Sequence, residues 1–187
     1  MDSKELVDKL QECEVVKFGD FTLTSGIKSR YYVDVKMATT KPKILGLICR
    51  HILKVIDERN IKVDYIACIE LGSVPIGTVV SFITNIDLLI IRKVQNHGLT
   101  SRVVGNIEKS KTVLLVEDVT ATGESVVSAA KILRGEGLIV DTVVSVVDRG
   151  EGADKNLENE GLKLIYLVEA RKLLQVCEVA ESLLTVL

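Results

Sequence analysis

The stretch Val113–Ser125, VLLVEDVTATGES, decides the reading of this chain. An apolar β-branched run meets two adjacent carboxylates, Glu117 and Asp118, then a turn of small and hydroxyl residues, then the helical pattern Glu124–Arg134. A strand that passes through a tight turn into a helix is half of a strand–helix–strand unit. Helix N-termini carry unpaired N–H groups at the positive end of the dipole, so the turn is an anion site. The hydroxyls of Thr120, Thr122 and Ser125 add donors there, and Gly123 lets the backbone approach the ligand. A phosphate fits that loop. Glu117 and Asp118, just ahead of it, reach the vicinal hydroxyls of a sugar whose phosphate the loop holds, which points to ribose 5-phosphate. The plainer alternative is a pair of solvated acids before an ordinary helix cap. The pattern Gly-x-x-x-x-Gly-Lys-Ser/Thr is absent, so this is not a P-loop.

Outward from this segment, similar short runs recur at Val63–Ile69, Leu88–Ile91, Thr112–Val116, Thr142–Val147 and Leu162–Val168. Between them lie the helical patterns Lys41–Glu58, Pro75–Ile83 and Glu124–Arg134, with Pro42 and Pro75 where helices begin. The alternation predicts an α/β fold, a parallel sheet with helices on both faces. The N-terminal part departs from it. A helix over Lys4–Glu12 precedes FGDFTLTSGIKSRYYVDVK, an alternating pattern around a Ser-Gly turn that predicts a separate small layer over the sheet. Ligands of open parallel sheets sit beyond the carboxyl ends of the strands, where the unusual residues of this chain also fall.

The composition fits an ordinary globular protein: 187 residues, 47% hydrophobic and 27% charged, with 24 Lys and Arg against 26 Asp and Glu. That balance lacks the basic surplus of a nucleic-acid binder. The four cysteines form no C-x-x-C pair and read as buried reduced thiols. The charged N-terminus and the shortness of every apolar run predict no signal peptide, no membrane span and a cytoplasmic location.

The segment Val113–Ser125 resembles the signature of the type I phosphoribosyltransferases, which bind 5-phosphoribosyl 1-diphosphate (PRPP). Three further segments resemble one branch of that family, the orotate phosphoribosyltransferases in their short archaeal form. FGDFTLTSGIKSRYYVD, Phe18–Asp34, is similar to the hood that covers the base there, and Lys28, Arg30, Tyr31 and Tyr32 offer cations and a flat aromatic face to a planar anion. In VVDRGEGA, Val146–Ala153, the resemblance assigns Arg149 to the carboxylate of orotate; read by itself, Asp148–Arg149 is as well a surface ion pair. IELGSVPIG, Ile69–Gly77, matches the turn that holds the diphosphate, which places Glu70 and Gly72 among the PRPP-binding residues. Ala121 and Glu124 join them within the signature.

IIRKVQNHG, Ile90–Gly98, resembles the start of the family's catalytic loop, whose cations close over the diphosphate, and assigns Arg92, Lys93 and His97 to PRPP. The loop's usual intervening lysine is missing, because Val94, Gln95 and Asn96 occupy an interval one residue short. Arg92, Lys93, His97 and Arg102 remain as cations. The resemblance implies Glu117, Asp118, Lys93 and His97 as catalytic residues and Lys28, Tyr31, Tyr32 and Arg149 as the orotate site. It further implies Mg²⁺ held mainly by PRPP with no direct protein ligand, and a homodimer with shared active sites. One domain spans residues 1–187, with a hood region over 1–40 and an α/β core over 41–187. The expected activity is transfer of the 5-phosphoribosyl group from PRPP to orotate. The alternatives are a transferase for another base and a PRPP-sensing regulator that has lost turnover, which the missing lysine favours.

Overall fold

A computed structural model of the chain describes residues 3–22, 28–93 and 102–174. In chain order the elements are α1 (Ser3–Gln11), β1 (Val16–Thr22), β2 (Lys28–Val33), α2 (Lys36–Thr39), α3 (Pro42–Glu58), β3 (Tyr65–Ile69) and α4 (Val74–Thr84). They continue with β4 (Asp87–Ile91), β5 (Val103–Val104), β6 (Thr112–Thr120), α5 (Glu124–Gly135), β7 (Ile139–Asp148), α6 (Ala153–Asn159) and β8 (Lys163–Glu169). Six strands form one sheet in the order β5-β4-β3-β6-β7-β8. Five are parallel; β5 pairs antiparallel with β4 at the edge, which is a correction to the all-parallel expectation.

Side chains alternate across a strand, and here both alternations are apolar. Ile66, Leu114, Val116 and Val144 pack under α1, α3 and α4, whereas Tyr65, Ala67, Val113, Leu115 and Val143 pack under α5 and α6. A sheet covered on both faces explains why its strands read as continuous hydrophobic runs. The N-terminal layer is also present: β1 and β2 form a separate antiparallel hairpin, Phe18 opposite Tyr31. Cys13, Cys49 and Cys68 are buried free thiols, and burial pushes Cys49 up to about 11 and Cys68 to about 12. Cys177 lies outside the described residues. No helix among the described residues is long and apolar enough to cross a membrane.

The strand order reverses between β3 and β6: the chain winds outward from β3 to β4 in one direction, and from β6 through β7 to β8 in the other. The helix after β3, α4, covers one face, and the helix after β6, α5, covers the other. The carboxyl ends of β3 and β6 therefore flank a crevice, the position where open α/β sheets bind ligands.

Candidate active site

Glu117 and Asp118 stand in that crevice, within the last turns of β6. The strand runs to Thr120, four residues past the expected end at Val116, because it stays paired with β7: Glu117 faces Ser145, and Thr120 faces Asp148. Both acids are nearly enclosed, Glu117 being 7% and Asp118 9% exposed. Burial pushes the Glu117 carboxyl well above its ordinary range and the Asp118 charge adds to this, while the Lys93 ammonium and the Ser73 hydroxyl oppose it. Burial also raises Asp118, opposed first by Lys36, then by backbone N–H groups and Lys93. Two carboxylates this poorly solvated gain from a polyhydroxyl ligand or a cation placed between them.

The turn after β3 is shaped around these acids. The Ser73 hydroxyl accepts from the Ile69 N–H at 2.9 Å and lies 3.4 Å from Glu117 Oε2. Gly72 presses against the other acid: a Cβ there would stand 2.0 Å from Asp118 Oδ2. Only glycine leaves room for the carboxylate. Glu70, joined to Leu71 by a cis peptide bond, turns its Oε1 to accept from the Lys93 backbone N–H at 2.6 Å. Its carboxylate thus braces the loop base.

The turn between β6 and α5 is led by glycine. Gly123 has φ +84°, a left-handed conformation that suits glycine, and opens α5 as its N-cap. Asn156 of α6 donates to the Thr122 carbonyl at 2.9 Å, and a Cβ on Gly123 would meet Leu157 of α6 at 3.1 Å. Thr120, by contrast, is a strand residue 2% exposed, its hydroxyl 3.2 Å from Asp148 Oδ1 and 3.3 Å from Ser145 Oγ. That hydroxyl is engaged with β7 rather than with the turn. Ala121 and Thr122 are half-buried in the turn, and Glu124 and Ser125 are exposed on the first turn of α5.

Arg149 lies beside this loop, because its N–H donates to the Thr120 carbonyl at 2.8 Å. Its guanidinium stands 4.8 Å over the Tyr31 ring and donates to Ser29 Oγ at 3.1 Å. The hood and the sheet meet there. Neighbouring residues of a strand point to opposite sides, so Tyr32 packs instead on Phe21, ring centroids 5.6 Å apart. Lys28, exposed at the first position of β2, does not join the group. Asp148 does not pair with Arg149: it takes the Gly150 N–H at 3.2 Å, and burial raises its carboxyl.

At the far edge Arg92 and Lys93 follow the end of β4, and Lys93 is close enough to act on Glu117 and Asp118. His97 and the Val94–Gln95–Asn96 stretch lie outside the described residues. Arg102 is not a free cation: its guanidinium donates to the Arg92 carbonyl at 3.2 and 3.0 Å and to the Lys93 carbonyl at 2.8 Å. It pins both ends of the loop base. Lys36, Ser73, Arg102 as a brace and Asn156 were missed: Lys36 and Ser73 bond near neighbours, Asp34 and Ile69, and their reach to Asp118 and Glu117, like the bonds of Arg102 and Asn156, crosses elements that no local pattern joins. The clue available was their position beside strand ends.

Residues 35–167 match the phosphoribosyl transferase domain model. An orotate phosphoribosyltransferase of Pyrococcus horikoshii is 46% identical over 179 residues, covering 95% of this chain and 96% of the relative. Among solved structures, orotate phosphoribosyltransferase from Aeropyrum pernix superposes with a TM-score of 0.82 at 26% identity, over 92% of this chain and 99% of that one. The Mycobacterium tuberculosis H37Rv enzyme in complex with PRPP gives a TM-score of 0.74 at 29% identity, again over 92% and 99%. With the family model spanning residues 35–167 and a relative 46% identical along nearly its whole length, the chain belongs to the phosphoribosyltransferase family, among the orotate phosphoribosyltransferases.

Proposed function

We propose that the protein transfers the 5-phosphoribosyl group of PRPP to orotate, giving orotidine 5′-phosphate and diphosphate in pyrimidine biosynthesis. The observation that carries this reading is the juxtaposition at the ends of β6 and β7. The acid pair and the anion loop share one strand, and Arg149 is hydrogen-bonded to that strand while lying under Tyr31 of the hood. One end of the crevice suits a ribose phosphate, the other a flat carboxylate.

The chemistry needs no covalent nucleophile. Glu117 and Asp118 hold the ribose hydroxyls as the bond from C1 to the diphosphate oxygen lengthens and its electron pair leaves with the diphosphate. Positive charge grows on the sugar beside two carboxylates that burial has left poorly solvated, where electrostatic stabilisation is largest. The ring nitrogen of the bound base then bonds to C1 from the opposite face, and the proton it carried is released to the departing diphosphate or to water. Arg149 fixes the base's carboxylate, and Lys93 adds charge on the diphosphate side. Among the described residues no cluster of three His, Cys, Asp or Glu could hold a metal. Mg²⁺ keeps several waters and binds through one or two carboxylates plus substrate phosphates, so Glu117 and Asp118 fit as the residues facing an ion that PRPP carries. Such an ion would neutralise the leaving diphosphate. The proposal extends to a cytoplasmic homodimer whose loops serve neighbouring sites.

Arg149→Ala tests the base. Orotate should lose roughly 10²-fold in kcat/KM, because a buried carboxylate partner disappears, while PRPP affinity holds. Comparable kcat/KM for uracil and orotate in the wild type would refute the choice of base. Tight PRPP binding without turnover on any base would make the protein a sensor. Arg102→Ala tests the brace. It leaves Arg92, Lys93 and His97 present, and it should still lower kcat/KM about tenfold through misplacement of Lys93. Unchanged kinetics would show that the loop base holds itself.

A further inference from the structure

Arg149 already has an anion on it. Its side chain is 4% exposed, and Nη2 lies 2.8 Å from Oε1 of Glu151, a carboxylate 25% exposed in the same turn. The pair is half made. Arg149 Nε and Glu151 Oε2 are both buried and have no hydrogen-bond partner. A guanidinium and a carboxylate at their best form two parallel bonds, so one contact that strands a buried donor and a buried acceptor suits neither group. Tyr31 lies against the face of the guanidinium and Ser29 Oγ accepts from the same Nη2, and the group cannot swing to improve the fit without losing them.

We propose that Glu151 is a specificity-determining residue, a tethered competitor that holds Arg149 until the carboxylate of the base displaces it. The inference rests on Arg149 being the base-binding residue. A buried cation with no partner is strongly destabilising, and Glu151 prevents that state whenever no substrate carboxylate is on the arginine. A base that carries a carboxylate exchanges a one-contact pair for a two-contact pair and releases Glu151 towards solvent. A base that lacks one leaves the internal pair intact and gains nothing from it. Selectivity is then set by the difference between two ion pairs.

Glu151→Gln in the full chain tests this. The Kd of orotate, measured by calorimetry, and its KM should both fall about tenfold, the size of one competing charge-assisted bond, with little change for uracil. Glu151→Ala should do the same, which covers the case of a glutamine that keeps the contact. An orotate Kd that rises or stays constant in both variants overturns the proposal. Arg149→Ala, measured alongside, separates the readings. Loss of orotate affinity there, with no gain in Glu151→Gln, removes the competitor alone; unchanged orotate affinity in Arg149→Ala removes the base site and the competitor with it.

Discussion

Replacing Glu117 by Gln and Asp118 by Asn together is expected to lower kcat/KM by roughly 10³-fold while the melting temperature rises. Both outcomes follow from burial. Each carboxyl is raised in the folded chain, chiefly by desolvation, so the folded state holds protons that the unfolded state releases. Such groups favour folding below the ordinary carboxylate range, and the contribution is lost as pH rises through their raised values. At neutral pH the native acids therefore cost stability, and neutral isosteres should return about 1–3 kcal/mol. Thermal melts at pH 7 and pH 4 check the sign: the gain should shrink at the lower pH, where the native acids are protonated too. A variant that is less stable at pH 7, or that keeps its rate, would mean that the acids are well solvated and do no chemistry.

The second large effect belongs to Gly72→Ala. The new Cβ would stand 2.0, 2.4 and 2.7 Å from three atoms of the Asp118 carboxyl group, so that group must move. Activity should fall roughly 10²-fold through displacement of a positioned acid, and overpacking should cost about 1–3 kcal/mol. Adding Asp118→Ala to Gly72→Ala should restore the stability and leave the enzyme inactive. Recovery of activity in the double variant would show that Asp118 is dispensable, and failure to recover stability would place the clash elsewhere.

The sheet was legible because its strands are buried on both faces, and a run such as Tyr65–Ile69 has no other use. The ends were less so. Glu117 and Asp118 read as loop acids, since nothing local reveals that β7 continues alongside and keeps them in the strand. Helix α6 was missed because ADKNLEN buries only Ala153 and Leu157, one i,i+4 pair, and the two-residue β5 exists only through its pairing with β4. Within the site, the structure brings Glu117, Asp118 and Gly123 together at the end of β6 and the start of α5, as their order in the sequence implies. Arg102 was counted only among the remaining loop cations, and its bracing bonds were not legible because its partners are carbonyls, which every residue carries and no sequence pattern distinguishes. The hood residues divided for a similar reason: Tyr31 and Tyr32 are alike in sequence, and the pleat of the strand separates them.

The missing loop lysine and the shortened interval acquire a structural meaning at the edge of the sheet. Arg92 and Arg102 face each other across the antiparallel β4–β5 pair, the Arg92 N–H on the Arg102 carbonyl at 2.9 Å, with the Arg102 guanidinium bonded back across the gap. The closure that the intervening residues would otherwise have to supply is made by the scaffold itself. Chain-closure entropy varies only logarithmically with length, about 0.6 kcal/mol per doubling, so one residue more or fewer between these clamps costs almost nothing. A change in the length of the chain between Arg92 and Arg102 therefore leaves the β4–β5 clamp that anchors it intact.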